Sequence, residues 1–231
     1  MEHIAKNIAE VRERIAVAAA KSGRKAEDIT LVAVTKTVDI ESIKEAVRYG
    51  ITDLGENRVQ EMAQKYGDVN GEAALNWHMI GHLQRNKAKS ALEMADLIHS
   101  LDSIRLADEI QKNAEKMGII AEVLIEINIA NESSKYGVKP EDAVDFAVQL
   151  EKYDNIRLRG LMCVAPNVEN AEQNRQSFQH MRNLSLDIRE KIVYSRDTNI
   201  LSMGMSNDYE IAIEEGANMV RIGSKLFGQR I

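Results

Sequence analysis

Short apolar runs alternate with amphipathic stretches along almost the whole of this chain, and that rhythm limits the folds open to it. Apolar strand candidates fall at 30–36, 51–55, 76–81, 97–101, 121–128, 157–164, 199–203 and 219–223. Helical candidates lie between them at 39–49, 56–66, 84–94, 103–117, 140–152, 169–192 and 207–215, with a short final helix after 224. A further helix opens the chain, where Ile4, Ile8, Val11 and Ile15 recur at helical spacing and Ser22-Gly23 marks the stop. Strands that alternate with helices build a parallel α/β fold. Eight of them favour a (β/α)8, TIM-like barrel with an extra N-terminal helix over an open doubly wound sheet. No Gly-x-Gly-x-x-Gly follows a strand, which weakens the dinucleotide-binding alternative further. With 44% hydrophobic residues and no linker or low-complexity segment, residues 1–231 are expected to form a single domain.

Composition narrows the partners. The formal net charge is −6, and no basic stripe with interleaved aromatics is present, which argues against nucleic acid and anionic membranes. The short cluster Arg85-Asn86-Lys87-Ala88-Lys89 reads as the polar face of a helix. Cys163 is the only cysteine, so no internal disulfide can form, and its apolar neighbours Leu161, Met162 and Val164 mark it as a small buried hydrophobe. The start of the chain lacks the apolar stretch of a signal peptide and no long apolar segment follows, so a soluble, cytoplasmic protein is expected. Five histidines without metal-ligand spacing predict no metal. His78 alternates with apolar residues and reads as structural.

Lys36 stands out because it ends the run Leu31-Val32-Ala33-Val34-Thr35-Lys36. An unpaired ammonium is costly to desolvate, and removal from water favours the neutral amine that a Schiff-base nucleophile needs. The bland alternative is a lysine that reaches solvent at the strand's end. Other polar residues fall at strand ends too: Gly55-Glu56-Asn57-Arg58, Gly81-His82, and Asn128 ahead of a loop with Ser133, Ser134, Lys135 and Tyr136. In a barrel of this type the active site lies at the carboxyl ends of the strands.

The last two strand ends look like a phosphate cradle. Ser202, Gly204 and Ser206 offer hydroxyls and approachable amides, Asn207-Asp208 opens a helix, and Gly223-Ser224 repeats the arrangement on the neighbouring strand. Turn glycines and a serine cap would explain each segment singly. Arg221 ends an apolar stretch; pointing inward, it could hydrogen-bond a cofactor's ring nitrogen, and a structural ion pair is the alternative. Met203 and Met205 read as pocket-lining residues. A Schiff-base lysine with a phosphate site implies a phosphorylated aldehyde or ketone. Pyridoxal 5′-phosphate and a phosphosugar handled by an aldolase both fit.

The segments Ala33–Lys36, Gly55–Glu61, His78–Lys87, Arg159–Met162, Leu201–Asp208 and Val220–Ser224 resemble, in the same order, the pyridoxal phosphate homeostasis protein family. That resemblance spans nearly the whole chain and implies a barrel similar to the amino-terminal domain of alanine racemase. It implies that Lys36 holds pyridoxal phosphate as a Schiff base and that Ser202, Ser206, Gly223 and Ser224 hold its phosphate. Arg221 would then face the pyridine nitrogen, with Asn57 and His82 lining the pocket and Gly204 in the cradle.

The resemblance further implies a non-catalytic carrier or regulator in vitamin B6 homeostasis, delivering cofactor to pyridoxal phosphate-dependent apoenzymes. Two sequence features agree with such a role. A racemase needs acid–base groups on both faces of the substrate carbanion. The second domain that supplies the opposing tyrosine in alanine racemase is expected to be absent, since the sequence stops directly after the eighth unit; a monomer is the corresponding expectation. An arginine opposite the ring nitrogen would also weaken the electron sink. The alternative is a racemase-like enzyme with Tyr136 and His82 as second groups. Lys135 reads as a solvated loop lysine.

Overall fold

The computed structural model describes residues 2–69, 71, 74–132, 135–193 and 197–228. Eight parallel strands close on themselves in chain order. They are β1 Thr30–Val34, β2 Asp53–Glu56, β3 Asn76–Met79, β4 Leu97–Leu101, β5 Ala121–Ile127, β6 Ile156–Cys163, β7 Ile200–Ser202 and β8 Met219–Ile222. The seam closes where Thr30 pairs with Met219 and Ala33 with Ile222. The (β/α)8 expectation therefore holds.

Among the described residues the α-helices are α1 Glu2–Lys21, α2 Ile40–Arg48, α3 Val59–Val69, α4 Ala88–Leu92 and α5 Ile104–Met117. They continue with α6 Ala143–Leu150, α7 Arg175–Lys191, α8 Tyr209–Glu214 and α9 Ser224–Phe227. The extra helix α1 buries Ile4, Ile8, Val11 and Ile15 and packs on α2, α8 and α9, across the outside of the closing seam. Burying each such side chain contributes about 1.5–3 kcal/mol, which fixes α1 as part of the barrel wall.

Several boundaries differ from the sequence expectation for local reasons. β1 ends at Val34, and Lys36 lies in the turn that follows. The helix expected from 56 begins at Val59, because Glu56 is still paired with Met79 in the sheet. The stretch 84–94 opens as a 3-10 turn over Arg85–Lys87 and is α-helical only over Ala88–Leu92.

Inside the barrel Val32, Leu97, Leu124, Met162 and Met219 form an apolar plug. Among the described residues no helix is long and apolar enough to cross a membrane.

Candidate functional site

The turn after β1 carries Lys36 and is held from both sides. Lys65 Nζ, from α3, donates to the Thr35 carbonyl oxygen, to Glu56 Oε1 and to Glu61 Oε1, each at 2.7 Å. Thr35 Oγ1 donates to the same Glu56 oxygen at 2.7 Å, and the Thr37 amide donates to Glu61 Oε1. Thr37 has a left-handed φ of 59°, a conformation uncommon for a non-glycine residue. One buried lysine and two carboxylates thus clamp the residues on either side of Lys36. Burial pushes the Glu56 carboxyl up despite Lys65 and Thr35, and its second oxygen, Oε2, is buried without a partner.

Lys36 itself is half-buried. It lines a cavity of about 840 Å³ together with Arg221, Ser206, Gly223 and Ser224, with Lys135 and Met205 on the rim. That size lies within the usual range for small-molecule sites. An amine, a guanidinium and a set of hydroxyl and amide donors therefore share one opening at the carboxyl ends of the strands.

Arg221 is buried. Its Nη1 donates to the Ser202 carbonyl oxygen and to Ser202 Oγ, and its Nη2 to the Cys163 carbonyl oxygen, all at 2.7 Å. Three of its five N–H protons are spent this way. Burial lowers its pKa, partly offset by Cys163, Glu126 and Asp208. Near it on β5 the Glu126 carboxyl is pushed up to about 7 by burial and by Asp102, against the pull of Arg221. Glu126 Oε2 has no hydrogen-bond partner.

The remaining sequence candidates are placed differently. Ser202 is fully buried behind Arg221, bonded to it and to His99 Nδ1 at 3.0 Å, and is not among the residues lining the cavity. Gly204, at φ 92°, lets the loop after β7 lie against α8, where a Cβ would stand 2.6 Å from Ala212 Cβ. Asp208, which precedes the helix read as an anion site, does not cap that helix with its side chain. Asp208 accepts from the Met205 amide at 2.7 Å and from Asn174 Nδ2 at 2.8 Å, and Ser206, Asn207, Gly223 and Ser224 line the cavity beside it. The Gly223 amide donates to Ser206 Oγ at 3.3 Å, which ties the two strand ends together.

Asn57 is half-buried and lines neither this cavity nor the next one. His82 lines that neighbouring opening, stacked on Tyr136 with ring centroids 3.7 Å apart, its Nδ1 3.2 Å from Asp102 Oδ2. Lys135 borders both openings. Ser133 and Ser134 lie outside the described residues. Met203 is core rather than lining, and Cys163 is a buried free thiol. Among the described residues no group of three or more His, Cys, Asp or Glu side chains is placed to hold a metal ion.

Lys65, Glu126 and His99 escaped the sequence reading. His99 had a signal, since it is a lone titratable group inside the apolar run of β4. Lys65 had none, because its position on α3 looks like any solvated helix face.

The family model described as "Alanine racemase, N-terminal domain" matches residues 2–231. The pyridoxal phosphate homeostasis protein of Aquifex aeolicus is 43% identical over 223 residues, covering 96% of each chain. That of Escherichia coli K12 is 39% identical over 235 residues, covering 100% of this chain and 98% of its own. The structure of PipY from Synechococcus elongatus PCC7942 with PLP bound superposes with a TM-score of 0.85 at 32% identity, covering 97% of this chain and 100% of that one.

Proposed function

The chain belongs to the pyridoxal phosphate homeostasis protein family, within the alanine racemase N-terminal domain group, and from that premise we infer that it holds pyridoxal 5′-phosphate through Lys36. The observation that carries this reading is the shared cavity: the Lys36 amine, the Arg221 guanidinium and the donors of Ser206, Gly223 and Ser224 border one opening. This donor set suits an aldehyde, a ring nitrogen and a phosphate. Lys36 supplies the covalent anchor, and Ser206, Gly223 and Ser224 hold the anion. Arg221, which borders the same cavity, would face the ring nitrogen, with Ser202 behind it. When bound, the cofactor supplies a reactive aldehyde and an electron sink.

The role that fits is a non-catalytic carrier that buffers the cofactor and passes it to apoenzymes. A permanently cationic group at the ring nitrogen discourages protonation there and blunts the electron sink. Tyr136 and His82, the acid–base candidates for a racemase, stack on each other beside the neighbouring opening, which supports binding over turnover.

The test is the visible spectrum of the purified protein with added pyridoxal phosphate, then borohydride reduction and peptide mapping. A yellow protein with the pyridoxyl mass on the Lys36 peptide, lost in Lys36→Ala, is expected. A protein that stays colourless, or carries the label on another lysine, overturns the reading. Sustained isotope exchange at an amino acid's α-carbon would overturn the non-catalytic role.

A further inference from the structure

A second set of polar groups crosses the barrel interior, out of reach of solvent for most of its length. Ser202 Oγ, already receiving a proton from Arg221 Nη1 at 2.7 Å, lies 3.0 Å from His99 Nδ1. His99 Nε2 lies 2.9 Å from His78 Nδ1, and His78 Nε2 lies 3.0 Å from Asp53 Oδ1. The groups come from β8, β7, β4, β3 and β2 in turn. Ser202, His99 and His78 are buried. Asp53, at the start of β2, borders a different opening of about 410 Å³ at the amino-terminal end of the barrel, with Arg12, Thr30 and Thr52. The chain therefore connects the cavity holding Lys36 to the opposite face of the molecule.

Hydrogen-bond accounting gives the chain a direction. A buried hydroxyl proton without an acceptor is costly. The Ser202 oxygen accepts from Arg221, so its own proton has one acceptor in reach, His99 Nδ1. That choice puts the His99 proton on Nε2, pointing to His78 Nδ1, and the His78 proton on Nε2, pointing to Asp53. Every donor then has an acceptor, and the series runs from a guanidinium to a carboxylate. Burial holds His99 well below the usual histidine range, with His78 and Arg221 adding to the effect. The Asp53 carboxyl is lowered although burial opposes it, because His78, Thr52 and Asn76 donate to or face it.

We propose that Asp53, His78, His99 and Ser202 form a one-directional hydrogen-bond relay that positions the Arg221 guanidinium toward the cofactor cavity. The charge of Asp53 at one end of the barrel thereby sets the orientation of the cation at the other. This rests on the cofactor reading above for the identity of the ligand, and not for the relay's existence. These are positioning residues; Arg221 alone of the series borders the cavity. Neighbouring bonds in such a chain polarise one another, so removing the terminal carboxylate is felt along its whole length.

The experiment is nitrogen NMR of imidazole-labelled, cofactor-free protein, repeated on Asp53→Asn, with the visible spectrum of each protein after adding pyridoxal 5′-phosphate. The wild type is expected to show His99 as one neutral tautomer, protonated at Nε2. In Asp53→Asn, which keeps the shape and removes the charge, the two His99 nitrogen shifts are expected to move toward each other as the reverse order becomes accessible. The absorption maximum of bound cofactor is expected to shift with them. A wild-type His99 that is cationic, or protonated at Nδ1, overturns the relay without need of any variant. So do unchanged His99 shifts in Asp53→Asn, or changed shifts with an unchanged cofactor spectrum. Should Asp53→Asn fold poorly, Ser202→Ala breaks the series at its other end with the same expected readouts. A wild-type protein that never takes up pyridoxal phosphate sinks the cofactor reading, and the nitrogen shifts then decide the relay alone.

Discussion

The ammonium of Lys65 reaches the carbonyl oxygen of Thr35 across 2.7 Å, one residue ahead of Lys36. A helix on the outer layer thus fixes the backbone that presents the candidate anchor. The Thr35 hydroxyl bond to Glu56 and the Thr37 amide bond to Glu61 hold the same turn from its other sides.

Lys65→Met removes the cation and leaves the buried Glu56 beside the partly exposed Glu61 without the ammonium they share. Breaking one side of a buried pair costs about 3–5 kcal/mol. Urea unfolding is expected to show a loss of that size, with weaker retention of pyridoxal phosphate. A variant as stable as the wild type would show that the clamp is dispensable.

Glu126 gives the cofactor-free protein a pH dependence near neutrality. Its carboxyl is raised from 4.5 to about 7, so the folded state binds that proton more tightly than the unfolded state. The stabilisation is full below pH 4.5 and is lost as the pH rises through about 7. A shift of this kind is worth on the order of 3 kcal/mol. Unfolding curves at about pH 5 and about pH 8 should differ in that direction, and Glu126→Gln should flatten the difference.

Gly81 is the close-approach point between the loops after β3 and β2. A Cβ there would stand 2.4 Å from the Asn57 carbonyl oxygen and 2.8 Å from Asn57 Cα. Backbone atoms cannot swing aside as a side chain would. Gly81→Ala is expected to cost about 1–3 kcal/mol, read as a lowered thermal midpoint. An unchanged midpoint would mean that the two loops move independently.

Cys163 should be chemically silent. Burial pushes its thiol up to about 12, against the pull of Arg221, and the thiolate is the reactive form. Iodoacetamide followed by mass spectrometry is expected to find it unmodified in the native protein and fully modified in denaturant. Rapid labelling of folded protein would contradict the packing around β6.

The barrel was legible because most strands carry a short apolar stretch, as parallel strands covered on both faces tend to, although β2, β3, β5, β6 and β8 also hold polar or charged residues. The run 97–101 coincides with β4, and the run 219–223 overshoots β8 by one residue. Lys36, Arg221, Ser206, Gly223 and Ser224 were legible as candidates because polar groups at strand ends are out of keeping with the runs they follow, and all five border one cavity. Ser202 was legible as polar and misplaced in depth: its hydroxyl turns inward to Arg221 and His99 rather than to the cavity.

The sequence alone determined the periodicity, and with it the eight-unit barrel, the opening helix and the residues available at each strand end. Those follow from local chemistry, since burial and spacing act on neighbours along the chain. Tertiary structure decided which of those residues meet. Lys65 joins Thr35 across 30 positions, and Ser202 joins His99 across 103. Such pairings depend on the register at which the strands close and on the depth each side chain reaches. Neither is encoded in any one segment, because barrel closure is a property of all eight strands together.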